Sequence, residues 1–140
     1  MGYSENACLN CNKKLFIKNR KYCNNKCQQD FQYKQKVTLW KMGKLKTTQG
    51  DYQIARTIRR YLFEKYHDKC TKCGWNKINK FTNLCPLDVE HIDGNYKNND
   101  ETNLILLCPN CHSLTSTYKS LNKGKGRKQR MSRYNKGQTF

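Results

Sequence analysis

Two stretches of this chain decide its fold: DVEHIDGN at residues 88–95 and NLILLCPNCH at residues 103–112. Residues 81–91 contain alternating and β-prone side chains, which predict a strand. After it, Asp93-Gly94-Asn95 opens a loop rich in asparagine. The four aliphatic residues at 104–107 predict a second short strand, and the residues after Cys111 predict a helix to about Leu121. The expected order is strand, loop, strand, helix.

Eight of the nine cysteines stand in four close-spaced pairs, in a chain rich in lysine and without an apolar signal-peptide core. This pattern favours zinc over disulfides, because the thiolates of one tight turn can reach the same tetrahedral ion. Cys85 is expected to be a small buried residue rather than a ligand. Proximity along the chain predicts two four-cysteine zinc sites: Cys8, Cys11, Cys23 and Cys27 in the first, and Cys70, Cys73, Cys108 and Cys111 in the second.

The chain has a net charge of +18 and a mean hydropathy of −1.04, so it is poor material for one large core and favours a polyanionic partner. Nucleic acid is the first candidate, and no apolar run approaches the length of a membrane-spanning helix. Five of the ten acidic residues nevertheless cluster at 88–101. In a protein that must approach phosphates, such a cluster of acids is expected to hold a metal or to shape a loop.

The chain divides into four segments: an N-terminal module (1–40), a linker with a helix (41–66), the region that contains the two stretches quoted above (67–122) and a basic tail (123–140). The first module, with its knuckle, hairpin and helix around one ion, predicts a treble-clef-like finger. The helix is expected to run from Asp51 to about Tyr66, with an apolar stripe that forms core. The module either binds DNA or only stabilises the fold, and the basic residues of the helix form either a DNA-binding ridge or a solvated face. The candidate DNA-binding residues are Lys13, Lys14, Arg20 and Lys21 in the module, Arg56, Arg59 and Arg60 on the helix, and Arg127, Lys128 and Arg130 in the tail.

Residues 88–95, together with Asn103-Leu104 and the run from Leu107 to His112, resemble the HNH motif of the ββα-metal nucleases, particularly of phage-borne, homing-like members. The resemblance covers about residues 69–121. It implies a small, zinc-stapled α+β protein: the treble-clef-like finger, a linker helix, and a C-terminal ββα-metal HNH domain that contains the second zinc site.

The resemblance also implies the role of each motif residue. His91 would be the general base, Glu90 and His112 would hold a catalytic Mg²⁺ or Mn²⁺ (other transition ions being possible), and Asn103 would brace the loop that orients His91. Family members cut phosphodiesters to leave a 5′-phosphate, and the expected partner of this chain is double-stranded DNA. The residue types suit this chemistry, because an imidazole accepts a proton near neutral pH and a metal with few protein ligands keeps positions for phosphate and water.

Glu90 and His91 are adjacent, so on a regular strand they point to opposite faces and can serve one site only where the strand ends or bulges. Asp88 shares a strand face with Glu90 and is the alternative ligand for the catalytic ion. Asn95, Asn98 and Asn99 fit loop formation better than metal binding. Many family members carry Asp before the base histidine, and the longer Glu90 leaves the metal preference open.

Two other classes of function fit parts of the sequence. A non-catalytic zinc-finger protein that binds DNA or RNA would retain the HNH motif as scaffold, and a ribosome-like RNA-binding module would explain the cysteines and charge alone. The nuclease hypothesis also explains the set formed by Glu90, His91, Asn103 and His112. We expect a monomer in the cytoplasm, that of the host cell if the chain is encoded by a phage.

Overall fold

The computed structural model describes residues 6–49, 53–122, 132 and 136–137. Its contacts divide the chain into two compact units, Met1–Leu45 and Lys46–Phe140. The fold is a small α+β arrangement with a four-cysteine cluster in each unit, as the sequence predicts. Among the described residues, no helix combines the length and apolarity needed to cross a bilayer.

The first unit is a short hairpin followed by a long polar helix. Strand β1 (Asn6–Ala7) pairs antiparallel with β2 (Lys14–Leu15), and α1 spans Asn25–Lys41. The helix begins where the side chain of Asn24 accepts a hydrogen bond from the backbone N–H of Cys27 at 2.8 Å, a typical N-cap. Cys8 and Cys11 of the first cysteine cluster lie in the hairpin, Cys23 lies just before α1 and Cys27 lies in its first turn, which is the treble-clef-like arrangement predicted from the sequence.

The second unit begins with a two-stranded ribbon and a helix. Strand β3 (Thr48–Gln49) pairs antiparallel with β4 (Gln53–Ile54), and α2 spans Arg56–Lys65. The expected linker therefore contains a strand, and the helix begins at Arg56 rather than at Asp51 because residues 53–54 pair as a strand. The side chains of Ile58 and Leu62, on one face of α2, are fully buried.

The remainder of the second unit is a β-hairpin and a short helix. Strand β5 (Asp88–His91) pairs antiparallel with β6 (Leu104–Leu107), and α3 spans Pro109–Ser113. A 3₁₀ turn (Glu101–Asn103) leads into β6, and a second one (Lys119–Leu121) follows α3. Helix α2 packs against β6, and the core of the unit is formed by Ile58, Leu62, Leu87, Leu104, Leu106 and Leu107.

Two elements are shorter than the sequence predicts. The first strand begins at Asp88 rather than near Phe81, since residues 79–83 form a turn in which the backbone N–H of Asn83 donates to the carbonyl of Asn79 at 2.8 Å. The helix after Cys111 ends at Ser113, and the next residue, Leu114, is 76% exposed. Without an apolar surface to cover, the predicted stripe through Leu114 does not form a continuous helix.

Candidate active site and metal centres

The first candidate metal centre is the four-cysteine cluster of the N-terminal unit. Its sulfur atoms all lie within 4.8 Å of one another, with Cys11 and Cys23 at 3.8 Å and Cys23 and Cys27 at 3.3 Å. A tetrahedral zinc with Zn–S bonds of about 2.3 Å needs sulfur atoms roughly 3.8 Å apart. The cluster therefore fits a structural zinc.

The second centre joins a knuckle to the start of α3. Cys70 and Cys73 flank a turn closed by the backbone N–H of Gly74, which donates to the Cys70 carbonyl at 2.8 Å, and Cys108 is the N-cap of α3. The sulfur atoms of Cys73 and Cys108 lie 3.7 Å apart, and with Cys111 the four lie within 4.8 Å of one another. This geometry also fits zinc, and it fixes the backbone next to His112.

The thiols of each cluster cannot all ionise without a cation. Burial raises the pKa of Cys8, but backbone N–H groups, that of Asn10 first, outweigh burial and lower the pKa to about 6. The pKa of Cys23 is raised to about 12, first by its hydrogen bond with the Cys27 thiol. The second cluster shows the same pair of opposite shifts. The pKa of Cys70 is lowered to about 6, and the pKa of Cys111 is raised to about 12, first by its hydrogen bond with Cys73. A bound dication would offset the charge of four thiolates.

Cys85 belongs to neither cluster. Its side chain is buried, as the sequence predicts, and burial raises the pKa of its thiol. The thiol therefore stays protonated near neutral pH and serves as a small core residue.

The candidate active site begins with Glu90 on β5 and His112 on α3. The Glu90 Oε2 atom lies 3.0 Å from the His112 Nε2 atom, although the two residues are far apart in sequence. The other carboxylate oxygen of Glu90 accepts a hydrogen bond from the Thr117 hydroxyl. The imidazole of His112 also packs edge-on against the ring of Tyr118, at 5.3 Å between centroids. Two side chains that can bind a divalent ion thus meet in a braced position.

Asp88 approaches His112 from the opposite side of the ring. Its Oδ2 atom lies 3.2 Å from Nδ1 of His112, whereas Glu90 contacts Nε2. The two carboxylates therefore bracket the imidazole instead of converging on one point. Asp88 and Glu90 share a strand face, as alternation along β5 requires.

His91 is the last residue of β5, so its side chain leaves the strand at the mouth of the loop. Its Nε2 atom lies 2.8 Å from Oδ1 of Asn99. The sequence predicts only a loop-forming role for Asn99, and no spacing rule marks it as a partner of this histidine. Thr117 and Thr47, which contact Glu90 and Asn99, were also missed, because threonines at such distances in the chain carry no signal.

Asn103 holds the two ends of the loop between β5 and β6. Its Oδ1 accepts from the backbone N–H of Asp93 at 3.0 Å, and its Nδ2 donates to Oδ1 of Asp93 at 2.9 Å and to the Asn98 carbonyl at 2.8 Å. A hydrogen bond from the Asn98 side chain, with smaller contributions from Asn95 and Asn103, lowers the pKa of Asp93 to about 2. Asp93 therefore remains charged throughout the pH range in which cysteines hold metal.

The predicted DNA-binding residues fall into three groups. Lys13, Lys14, Lys21 and Arg56 are exposed. Arg20 donates to the backbone carbonyls of Tyr22 and Cys23, Arg59 donates to that of Leu87 at 3.0 Å, and Arg60 forms an exposed ion pair with Glu64 at 2.8 Å. The tail residues Arg127, Lys128 and Arg130 lie outside the described residues. Arg20 and Arg59 thus have structural contacts that the sequence did not indicate.

No family model matches this chain, and no solved structure matches it. Over 57 residues, which are 41% of its length, the chain is 47% identical to the H-N-H endonuclease F-TflIV of Escherichia phage T5. The chain covers only 24% of the length of that relative. The similarity confirms the predicted resemblance to HNH endonucleases over this part of the chain.

Proposed function

We propose that this chain is a metal-dependent endonuclease that hydrolyses phosphodiester bonds of double-stranded DNA by a one-metal mechanism. The observation that carries the proposal is the meeting of Glu90 Oε2 and His112 Nε2 at 3.0 Å, beside a strand that ends in His91. The similarity to a phage H-N-H endonuclease supports the same reaction class.

Glu90 and His112 are the residues that would hold the catalytic ion. Adjacent ligands of an octahedral ion with bonds of about 2.1 Å are roughly 3.0 Å apart, so the donor pair fits Mg²⁺ or Mn²⁺. Asp88 faces the other nitrogen of His112 and orients that ring rather than binding metal. When bound, the ion would supply positive charge that offsets the charge developing on the phosphate and the leaving oxygen.

His91 acts as the general base. It removes a proton from the attacking water, whose oxygen forms a bond to phosphorus as the bond to the 3′ oxygen breaks. The leaving 3′ oxygen takes a proton from solvent water, so the products are a 5′-phosphate and a 3′-hydroxyl. An imidazole is suited to this step near neutral pH. Asn103 supports the step at a distance, because its three hydrogen bonds to Asp93 and Asn98 hold the loop that follows His91.

The charge of the chain supports a nucleic-acid partner. A net charge of +18 attracts a polyanion, and the exposed lysines of the first unit can meet phosphates without contributing to the reaction. Zinc ions held by the two four-cysteine clusters would stabilise the fold, and the ion held by the second cluster would fix α3 and thereby His112.

The test is cleavage of supercoiled plasmid by protein dialysed against metal-free buffer, after elemental analysis has verified two bound zinc ions. Adding Mg²⁺ or Mn²⁺ is expected to relax or linearise the plasmid, and omitting both is expected to leave it intact. Tight DNA binding with no cleavage in any divalent ion would instead support the non-catalytic zinc-finger alternative.

A further inference from the structure

The hydrogen bond between His91 and Asn99 determines which nitrogen of the imidazole is free. Oδ1 of Asn99, 2.8 Å from Nε2 of His91, is a carbonyl oxygen and can only accept. In the neutral ring Nε2 must therefore carry the hydrogen, and Nδ1 keeps the lone pair. Among the described residues, Nδ1 has no hydrogen-bond partner. Nδ1 is thus the nitrogen left to accept a proton.

Asn99 is itself held in place. Its side chain is 5% exposed, and its Nδ2 donates to the Thr47 hydroxyl at 3.0 Å, across 52 positions of sequence. The backbone of Thr47 is fixed in turn, because its carbonyl accepts from the N–H of Ala55 at 2.8 Å, just before α2. The ribbon of β3 and β4 therefore supports the Asn99 amide from outside the HNH motif.

We propose that Asn99 is the positioning residue of His91 and that Thr47 supports Asn99. This inference rests on the proposed function for the role of His91 as base. Asn99 selects the tautomer with the hydrogen on Nε2 and stops rotation of the ring, so that Nδ1 presents its lone pair to the water. Loss of a partner that orients a metal-bound histidine typically lowers activity by about 10–100-fold, and we expect loss of the Asn99 contact to have an effect of the same order.

The first test measures the tautomer of His91 by ¹⁵N NMR of the histidine rings in zinc-loaded, full-length protein at a pH where the ring is neutral. The chain has three histidines, so the three ring systems can be assigned with His67→Asn and His112→Ala. We expect Nε2–H in the wild type and in Asn99→Asp, which keeps an acceptor. We expect a mixture of both tautomers in Asn99→Ala.

The second test measures single-turnover DNA cleavage at saturating protein. Asn99→Ala is expected to cleave about 10–100-fold more slowly, and Asn99→Asp is expected to recover most of the rate. Thr47→Val should cleave DNA several-fold more slowly than the wild type, whereas Thr47→Ser, which keeps the hydroxyl, should cleave at the wild-type rate. The matched control is Asn95→Ala in the same loop, since among the described residues Oδ1 of Asn95 accepts from the backbone N–H of Lys97 alone.

The two readouts separate this inference from the proposed function. A wild-type ring with the hydrogen on Nδ1, or an Asn99→Ala protein with unchanged tautomer and rate, would overturn the role of Asn99. Thr47→Val, which leaves the buried Asn99 in place, decides the question if Asn99→Ala does not fold. A wild-type protein that shows the Nε2–H tautomer but never cleaves DNA would overturn the proposed function alone.

Discussion

Gly94 lies in the loop between β5 and β6 at a φ of +71°, a conformation that side chains disfavour. An added Cβ would lie 2.5 Å from Oδ1 of Asn122 and 2.7 Å from Cγ2 of Thr117. The Thr117 hydroxyl donates to Glu90, and Nδ2 of Asn122 donates to the Gly94 carbonyl at 2.8 Å. The absence of a side chain at Gly94 therefore lets the segment after α3 close over the candidate metal ligand.

Gly94→Ala is expected to destabilise the protein by about 1–3 kcal/mol and to reduce cleavage, because Thr117 must move away from Glu90. Gly43→Ala is the control: Gly43 also has a positive φ, of +70°, but an added Cβ there meets nothing within 4 Å. Thermal unfolding and single-turnover cleavage of both variants test this. Equal effects of the two substitutions on cleavage would contradict the role given to the close approach.

Single residues of the site could be predicted to different degrees. Glu90 and His112 belong to a dense local motif, and they do meet. Asp88 was expected only as an alternative ligand, because strand alternation shows which face it occupies but not which nitrogen of a histidine it contacts. Thr47 could not be predicted, since a hydroxyl 52 residues from its partner leaves no periodic or compositional trace.

At the scale of elements, α2 supports the hairpin formed by β5 and β6. Ile58 and Leu62 are fully buried, as are Leu104 and Leu106 of β6, and the hydroxyl of Tyr66 donates to the Leu104 carbonyl at 3.3 Å. Glu101 accepts hydrogen bonds from Tyr61 and Lys65 of the same helix, and the bond from Lys65 raises the pKa of that lysine.

Leu62→Ala is expected to lower the free energy of unfolding by about 2–5 kcal/mol, the usual cost of emptying a buried leucine site. Leu114→Ala removes the same atoms from a side chain that is 76% exposed, and it should cost less than about 0.5 kcal/mol. Chemical denaturation of the zinc-loaded variants measures both values. A Leu62→Ala protein as stable as Leu114→Ala would show that α2 does not support β6.

The zinc sites should bind metal more tightly as the pH rises. Near neutral pH the thiols of Cys23 and Cys111, whose pKa values are raised to about 12, are protonated without metal and must each release a proton on binding. Affinity should therefore rise at least about tenfold per pH unit between pH 6 and 8. Below about pH 6, Cys8 and Cys70 also bind protons, so the dependence should steepen.

Competition with a chromophoric chelator across this pH range measures the dependence. Cys85→Ala is the control, because Cys85 lies outside both clusters and its removal should leave the slope and the two-zinc stoichiometry unchanged. An affinity that does not vary with pH would contradict binding by thiolates.

The elements could be predicted where a local sequence pattern also has a strand to pair with or a surface to pack against. The run of aliphatic residues became β6 with the predicted bounds, but β5 extends only over the four residues that β6 can pair, from Asp88 opposite Leu107 to His91 opposite Leu104. Alternation in residues 81–87 could not reveal that no strand of the described residues lies opposite them. The helix after Cys111 was overestimated for a similar reason, since the side chains of Leu114 and Leu121 remain exposed.

At the scale of the whole molecule, positive charge is sparsest in the segment that holds the candidate active site: residues 46–122 contain eleven basic and eight acidic residues, and residues 123–140 contain seven basic residues and no acidic one. Residues 1–45 contain ten basic and two acidic residues, whereas the acidic cluster and the candidate active site lie in the second unit. We therefore expect the first unit to supply much of the DNA affinity and none of the reacting groups.

Replacing Lys13, Lys14 and Lys21 together by Gln is expected to weaken DNA binding and to flatten its dependence on salt. Each lost phosphate contact should reduce the slope of log K against log salt by about 0.9. Single-turnover cleavage at saturating protein should not change. The control makes the same replacement by Gln at Lys69, Lys72 and Lys80, which are exposed lysines of the second unit. Equal loss of slope in both triple variants would mean that net charge, not the first unit, determines binding.

The most direct test of the whole account is single-turnover cleavage of DNA by His91→Asn in Mg²⁺ or Mn²⁺, compared with His67→Asn. Asparagine cannot take a proton from water near neutral pH, and His67 is an exposed residue whose left-handed backbone (φ 52°) asparagine tolerates. We predict that His91→Asn binds DNA normally but cleaves it about 10²–10⁴-fold more slowly, while His67→Asn matches the wild type. Cleavage by a folded, zinc-loaded His91→Asn protein within tenfold of the wild type would contradict the account.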